Sequence, residues 1–82
     1  MSYLVTFYTH LDAIIYKEYL HTISISGILM PVPRKISSSC GTCISFQYET
    51  ELSLDVLLGE NSTEELFLVE GSSYSLLHKT AD

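Results

Sequence analysis

Apolar and polar positions alternate most clearly in CISFQYE, residues 43–49, where Ile44, Phe46 and Tyr48 stand in phase against Cys43, Ser45 and Gln47. A period of two predicts a strand with one apolar face. The run YLVTFYT, residues 3–9, is short and rich in β-branched and aromatic side chains, which also predicts a strand. After Thr9 the spacing changes. Leu11, Ile14 and Ile15 recur at helical intervals, Tyr19 and Ile23 continue that face, and Lys17 and Glu18 lie off it. Thr9 followed by Asp12 resembles a capping box, with the acid near the positive end of the helix. A helix over about residues 10–22 follows.

GILMPV, residues 27–32, predicts a second strand, and Pro31 and Pro33, which cannot donate to a ladder, assign it to a sheet edge. Thr50 or Ser53 can cap a short second helix containing Leu54, Leu57 and Leu58, with Gly59 as its stop. ELFLVE, residues 65–70, predicts a fourth strand ended by Gly71. SSYSLLHKTAD is expected as a partly ordered tail. The order β-α-β-β-α-β suits two right-handed crossovers joined by a central hairpin. The expected fold is therefore α+β: a ferredoxin-like sandwich, with a four-stranded antiparallel sheet and two helices on one face. It forms a single domain over residues 1–71, with the tail at 72–82.

Eighty-two residues allow one core, burying roughly 60% of the unfolded surface. A hydrophobic share of 46% with only two prolines argues for a folded domain. No apolar run approaches the roughly 18 residues that span a bilayer. The start MSYLVTFYTH lacks a basic n-region and a small-residue cleavage site, so a cytoplasmic location without membrane contact is expected. Charge is divided unevenly: residues 1–48 sum to +1 and residues 49–82 to −7, giving the net −6. The acidic half would repel phosphate backbones, which argues against nucleic-acid binding. NST at residues 61–63 matches a glycosylation acceptor, but without a secretory signal it carries no weight.

One stretch stands apart. PRKISSSCGTC, residues 33–43, gathers Arg34 and Lys35, half of the chain's four cations, beside Ser37, Ser38, Ser39 and both cysteines. In the expected fold, residues 33–41 form the loop of the central hairpin, longer than the two to five residues usual there. A thiol acts as a nucleophile in its thiolate form, and nearby cations and donors favour that form. Arg34 and Lys35 can supply charge, the three serines hydroxyls, and Gly41 a positive φ or a close backbone approach. Cys40 lies in the loop, within a partner's reach. Cys43 lies in the strand, on the face opposite Ile44. Cys40 is therefore the expected reactive thiol, Cys43 a candidate resolving partner, and His10 at the helix start a candidate proton donor or acceptor.

Bland readings stand beside these. Two reduced cysteines can simply pack, and a lone CxxC is weak evidence. A thioredoxin-like motif normally opens a helix, whereas this one opens a strand. Two thiols and scattered histidines fall short of the four ligands of a structural zinc site within one chain, although a dimer could complete one; no metal and no cofactor is expected. His21 and His78 have no supporting context, and Glu18 reads as part of a solvated face.

THLDAIIYKEYL followed by PVPRKISSSCG resembles a family of small bacterial domains described as selenium/sulfur carrier-like proteins. Thr9, His10, Ala13, Glu18, Pro31, Pro33, Arg34, Ser39, Cys40 and Gly41 match its pattern, and the resemblance spans about residues 3–70. Cys43 departs from it, since members usually have an apolar or small residue there. The family is similar to partners of sulfur carriers that hold sulfur as a persulfide on one cysteine. The resemblance implies a stoichiometric carrier loaded on Cys40, with sulfur or selenium donor and acceptor proteins as partners. Alternatives are a non-catalytic anion-binding or regulatory module, in which Arg34 and the serines hold an anion, and a small thiol redox protein using Cys40 and Cys43; a second copy of the chain, in a homodimer, is a further candidate partner.

Overall fold

Along the first strand Tyr3, Val5 and Phe7 turn to one side and Leu4 to the other, and the two sides lead to two separate apolar clusters. The computed structural model describes residues 1–81. Its elements are β1 (Ser2–Thr6), α1 (His10–Thr22), β2 (Ile28–Pro31), β3 (Thr42–Gln47), α2 (Leu54–Leu58), β4 (Glu65–Glu70) and β5 (Ser73–Lys79). The sheet order is β2-β3-β1-β4-β5, and every neighbouring pair is antiparallel. As the prolines required, β2 is an edge strand, pairing only with β3.

The sheet has five strands, not the expected four, because residues 73–79 form β5 on the outer edge of β4 instead of belonging to a partly ordered tail. Glu70 pairs with Ser73, leaving a two-residue loop of Gly71 and Ser72, with Gly71 at φ +61°. A positive-φ glycine at the first place of such a loop matches the twist of the flanking strands. The strand is hard to see in sequence because Leu76 and Leu77 are adjacent and both exposed. Leu66 faces His78 whereas Phe67 faces Leu76, so Leu77 is the extra residue of a bulge that breaks the period of two.

Helix α1 has the expected bounds. Thr9 is its N-cap in extended conformation, and the Asp12 amide donates to Thr9 Oγ1 at 3.1 Å. Its inward face, however, is not the expected one. Leu11, Ile14 and Ile15 are exposed (63%, 42% and 49%), while Ala13, Tyr16 and Leu20 are buried. Apolar side chains lie on almost every side of this helix, so periodicity alone selects no face; packing does. The Tyr16 ring sits 5.4 Å from Phe7 and 6.3 Å from Phe46, centroid to centroid, and its hydroxyl donates to the Leu57 carbonyl at 2.6 Å. A buried tyrosine needs such an acceptor, and α2 supplies it. Ser53 caps α2 by accepting from the Val56 amide at 3.3 Å, and Gly59 follows its last turn.

Both helices lie on one face of the sheet. Ala13, Tyr16 and Leu20 from α1 and Leu57 from α2 share a cluster with Tyr3, Val5, Phe7, Ile44, Phe46 and Leu66. The other face carries Leu4, Cys43 and Phe67, with Met30, Val32, Ile36, Val69 and Tyr74 packed around them. Among the described residues no helix is long and apolar enough to cross a membrane.

Candidate functional site

The registers bring several chain segments to one end of the sheet. Thr6, at the end of β1, pairs with Cys43 near the start of β3, and Pro31, at the end of β2, pairs with Thr42. On the other side of β1, the Glu64 amide donates to the Thr6 carbonyl at 2.8 Å just before β4 begins. Helix α1 starts from the same rim. Residues distant in sequence, His10, Cys40 and Glu64 among them, are gathered there by the antiparallel order.

The segment 32–41 is closed at its base by the Val32 amide donating to the Gly41 carbonyl at 3.1 Å, and it turns through Ile36 N–H to Pro33 O at 3.0 Å. Gly41 takes φ +72°, the left-handed conformation that lets the chain enter β3. Val32 and Ile36 lie against Leu4, Cys43 and Phe67. The length of the loop therefore has a structural use: it covers part of the face that the helices leave open.

The two cysteines, both free thiols, occupy different surroundings. Cys40 is half-buried at the edge of the helix-side core, and its Sγ donates to the Thr42 carbonyl at 3.5 Å. Cys43 is fully buried on the opposite face, with its Sγ 3.7 Å from the Pro31 carbonyl. Burial, and to a lesser degree the neighbouring Cys40, pushes the Cys43 thiol up to about 11. In this structure Cys43 is a packed, protonated thiol, and Cys40 is the one within reach of solvent.

The polar groups of the loop are distributed unexpectedly. Lys35 Nζ donates to the Ser72 carbonyl at 2.9 Å, tying the loop to the β4–β5 turn. Ser39 gives both its amide (3.1 Å) and its hydroxyl (2.6 Å) to the Glu64 carboxylate. The Ser38 hydroxyl lies 3.5 Å from the Phe7 carbonyl and also contributes to Glu64. A hydroxyl has one proton to give, and the charged carboxylate is the better acceptor. Burial alone would raise the Glu64 carboxyl, but the hydrogen bonds from Ser39, with help from Ser38 and Thr6, outweigh it and hold the group below its ordinary value. The donors of Ser39 are thus occupied by a carboxylate. Ser37 is exposed beside Lys35, in a groove that reaches Phe67 and Tyr74. Arg34 is exposed and makes no hydrogen bond or ion pair with the described residues.

His10, the first residue of α1, is exposed and lines a shallow groove of about 260 Å³ with Leu29, Met30, Pro31, Gly41 and Thr42. His10 thus shares a groove with Gly41, the neighbour of Cys40. Sequence reasoning missed Glu64. No motif or spacing marks it, and only the pairing of β1 with both β3 and β4 places it beside the loop. Among the described residues no group of three or more His, Cys, Asp or Glu side chains is arranged to hold a metal ion.

A family model described as "Putative Se/S carrier protein-like" matches residues 2–70. No curated protein and no solved structure matches the chain. The match takes in β1 to β4, both helices and the whole rim just described, and it ends before the Gly71–Ser72 turn, leaving β5 outside. It covers well over half of the chain, which therefore belongs to this family.

Proposed function

We propose that this family member is a sulfur or selenium carrier that holds the chalcogen on Cys40 as a persulfide or perselenide. The observation that carries this reading is the contrast between the thiols: Cys40 is half-buried at a rim with a groove beside it, while Cys43 is sealed under the loop. The strand order β2-β3-β1-β4 and the two helices support a ferredoxin-like reading of the frame, with β5 as an addition and the rim as its loop-bearing end.

The transfer conserves electrons. The Cys40 thiolate attacks the outer sulfur of a donor protein's persulfide, a new S–S bond forms on Cys40, and the donor's S–S bond breaks as its thiolate leaves with the electron pair. An acceptor nucleophile then attacks the outer sulfur, and Cys40 leaves as thiolate. The selenium version differs only in the atom carried. His10, which shares its groove with Gly41 next to Cys40, takes the Cys40 proton, and Arg34, which has no partner within the described residues, pairs with the anion of the incoming or loaded chalcogen. The chain acts stoichiometrically, between a donor and an acceptor protein, in the reducing cytoplasm that keeps Cys40 free.

The test is incubation with a cysteine desulfurase and cysteine, followed by intact mass. The wild type and Cys43→Ser are expected to gain one sulfur and Cys40→Ser none. Equal loading of wild type and Cys40→Ser would move the site, and no loading of any form would end the carrier reading.

A further inference from the structure

Glu64 occupies a bridging position that neither the family match nor the thiol chemistry assigns. Below it, Thr6 is fully buried at the end of β1, and its hydroxyl accepts from the Glu65 amide at 3.1 Å while also contributing to the Glu64 carboxylate. Above it, the two carboxylate oxygens divide the work: Oε1 receives the Ser39 amide at 3.1 Å and Oε2 the Ser39 hydroxyl at 2.6 Å. The Glu64 backbone is held as firmly. Its amide donates to the Thr6 carbonyl at 2.8 Å, and its carbonyl accepts from the Thr80 amide at 3.0 Å. The side chain therefore stands on two neighbouring strands and grips the residue directly before Cys40.

We infer that Glu64 is the positioning residue of the Cys40 loop: its carboxylate fixes Ser39 and so sets how Cys40 meets a partner protein. A carboxylate accepting two bonds from one residue restrains that residue's direction as well as its distance, and charge-assisted bonds are the stronger kind. The other tethers of the loop act on residues other than Ser39, with the Ser38 hydroxyl 3.5 Å from the Phe7 carbonyl. Lys35 binds the β4–β5 turn, and Val32 binds Gly41 through backbone only. Removing the carboxylate leaves Cys40 with its Sγ contact to Thr42 but without a fixed neighbour on its N-terminal side. The inference takes its functional meaning from the carrier reading, but its geometric content does not depend on it.

Two rates on the intact protein test it, with Cys43 as an internal reporter of the fold. In Glu64→Ala, Cys40 is expected to react with iodoacetamide about tenfold faster, because a released loop exposes it. Loading by a cysteine desulfurase is expected to fall by about tenfold, because the thiol is no longer presented in one direction; this is the scale of one charge-assisted hydrogen bond. Cys43 should remain unlabelled. Glu64→Gln, which keeps one acceptor oxygen, should lie between wild type and Glu64→Ala, and Ser39→Ala should shift both rates in the same directions by less. Unchanged rates in Glu64→Ala would overturn the inference. So would labelling of Cys43 in Glu64→Ala together with wild-type rates in Ser39→Ala, which would make Glu64 a determinant of folding only. A wild type that takes up no sulfur would defeat the carrier reading and leave the iodoacetamide contrast to decide the role of Glu64.

Discussion

On one face of the sheet two helices bury Tyr3, Val5, Phe7, Ile44, Phe46 and Leu66; on the other, a loop without regular structure lays Val32 and Ile36 over Leu4, Cys43 and Phe67. The first face is held by aromatic packing, with Tyr3 stacked on Phe46 at 5.3 Å and Tyr16 set among Phe7, Tyr19 and Phe46. The second is held by a thin apolar cover and by polar tethers at its margin, from Lys35 to Ser72 and from Ser39 to Glu64. Burial of large side chains scales with area and is hard to undo locally. A loop held by a few hydrogen bonds opens at lower free energy. The helix face therefore supplies most of the stability, and the loop that covers the other face runs on to Cys40, at the edge of the helix-side core.

The widest difference is expected between the thiols. With Cys43 at about 11, about one molecule in a thousand carries its thiolate at pH 8, and the atom has no exposed surface. Iodoacetamide under native conditions should add one label, on Cys40, with Cys43 on the order of a hundredfold slower than a free cysteine. Two labels at similar rates would erase the distinction between the faces. Next in size is a pair of truncations followed by urea unfolding. Leu66→Ala, in the helix-side core, should cost about 2–5 kcal/mol. Ile36→Ala, in the loop cover, should cost about 1 kcal/mol. Equal losses would show that the loop belongs to the main core.

The third contrast is the pH dependence. Because burial raises Cys43 in the folded chain, its contribution to stability is complete below the ordinary thiol value of 9.0 and is lost as pH rises from there through about 11. Tyr16, also raised by burial, adds a further loss that begins near its ordinary value of 10.0 and continues above the Cys43 range. Cys43→Ala should remove only the part of the alkaline decline that begins near 9.0, as read from urea midpoints across pH. Glu64 has the opposite sign: its contribution is present above the ordinary value of 4.5 and is lost as pH falls through its lowered one.

How far the chain can be read without coordinates differs by element. Thr9 and Asp12 mark the start of α1 to the residue because a cap is local chemistry. The two prolines assign β2 to an edge for a similar reason. Which side of α1 turns inward is not local. Leu11, Ile14 and Ile15 form as good a stripe as Ala13, Tyr16 and Leu20, and the choice depends on where the Tyr16 ring and hydroxyl can be seated. Strand β5 was legible in part, since a Gly-Ser pair between two extended runs is a hairpin signal, but the bulge at Leu77 masks its alternation. At the rim, the separation of Cys40 from Cys43 follows from the phase of β3. The engagement of Ser39 by Glu64 does not, because it joins residues 25 positions apart through the pairing of three strands.

Strand β5 has a further consequence. It lies outside the family-matched region and takes up the ladder groups that β4 would otherwise present to water. A two-residue tether makes that pairing an intrachain event at high effective concentration, so no outside segment competes with it easily. The open ladder has moved outward by one strand, to seven residues that contain no proline, whereas the far rim, β2, is four residues long and ends in Pro31. The two flanks of the sheet thus differ: one is short and blunted by Pro31, the other a longer ladder without proline.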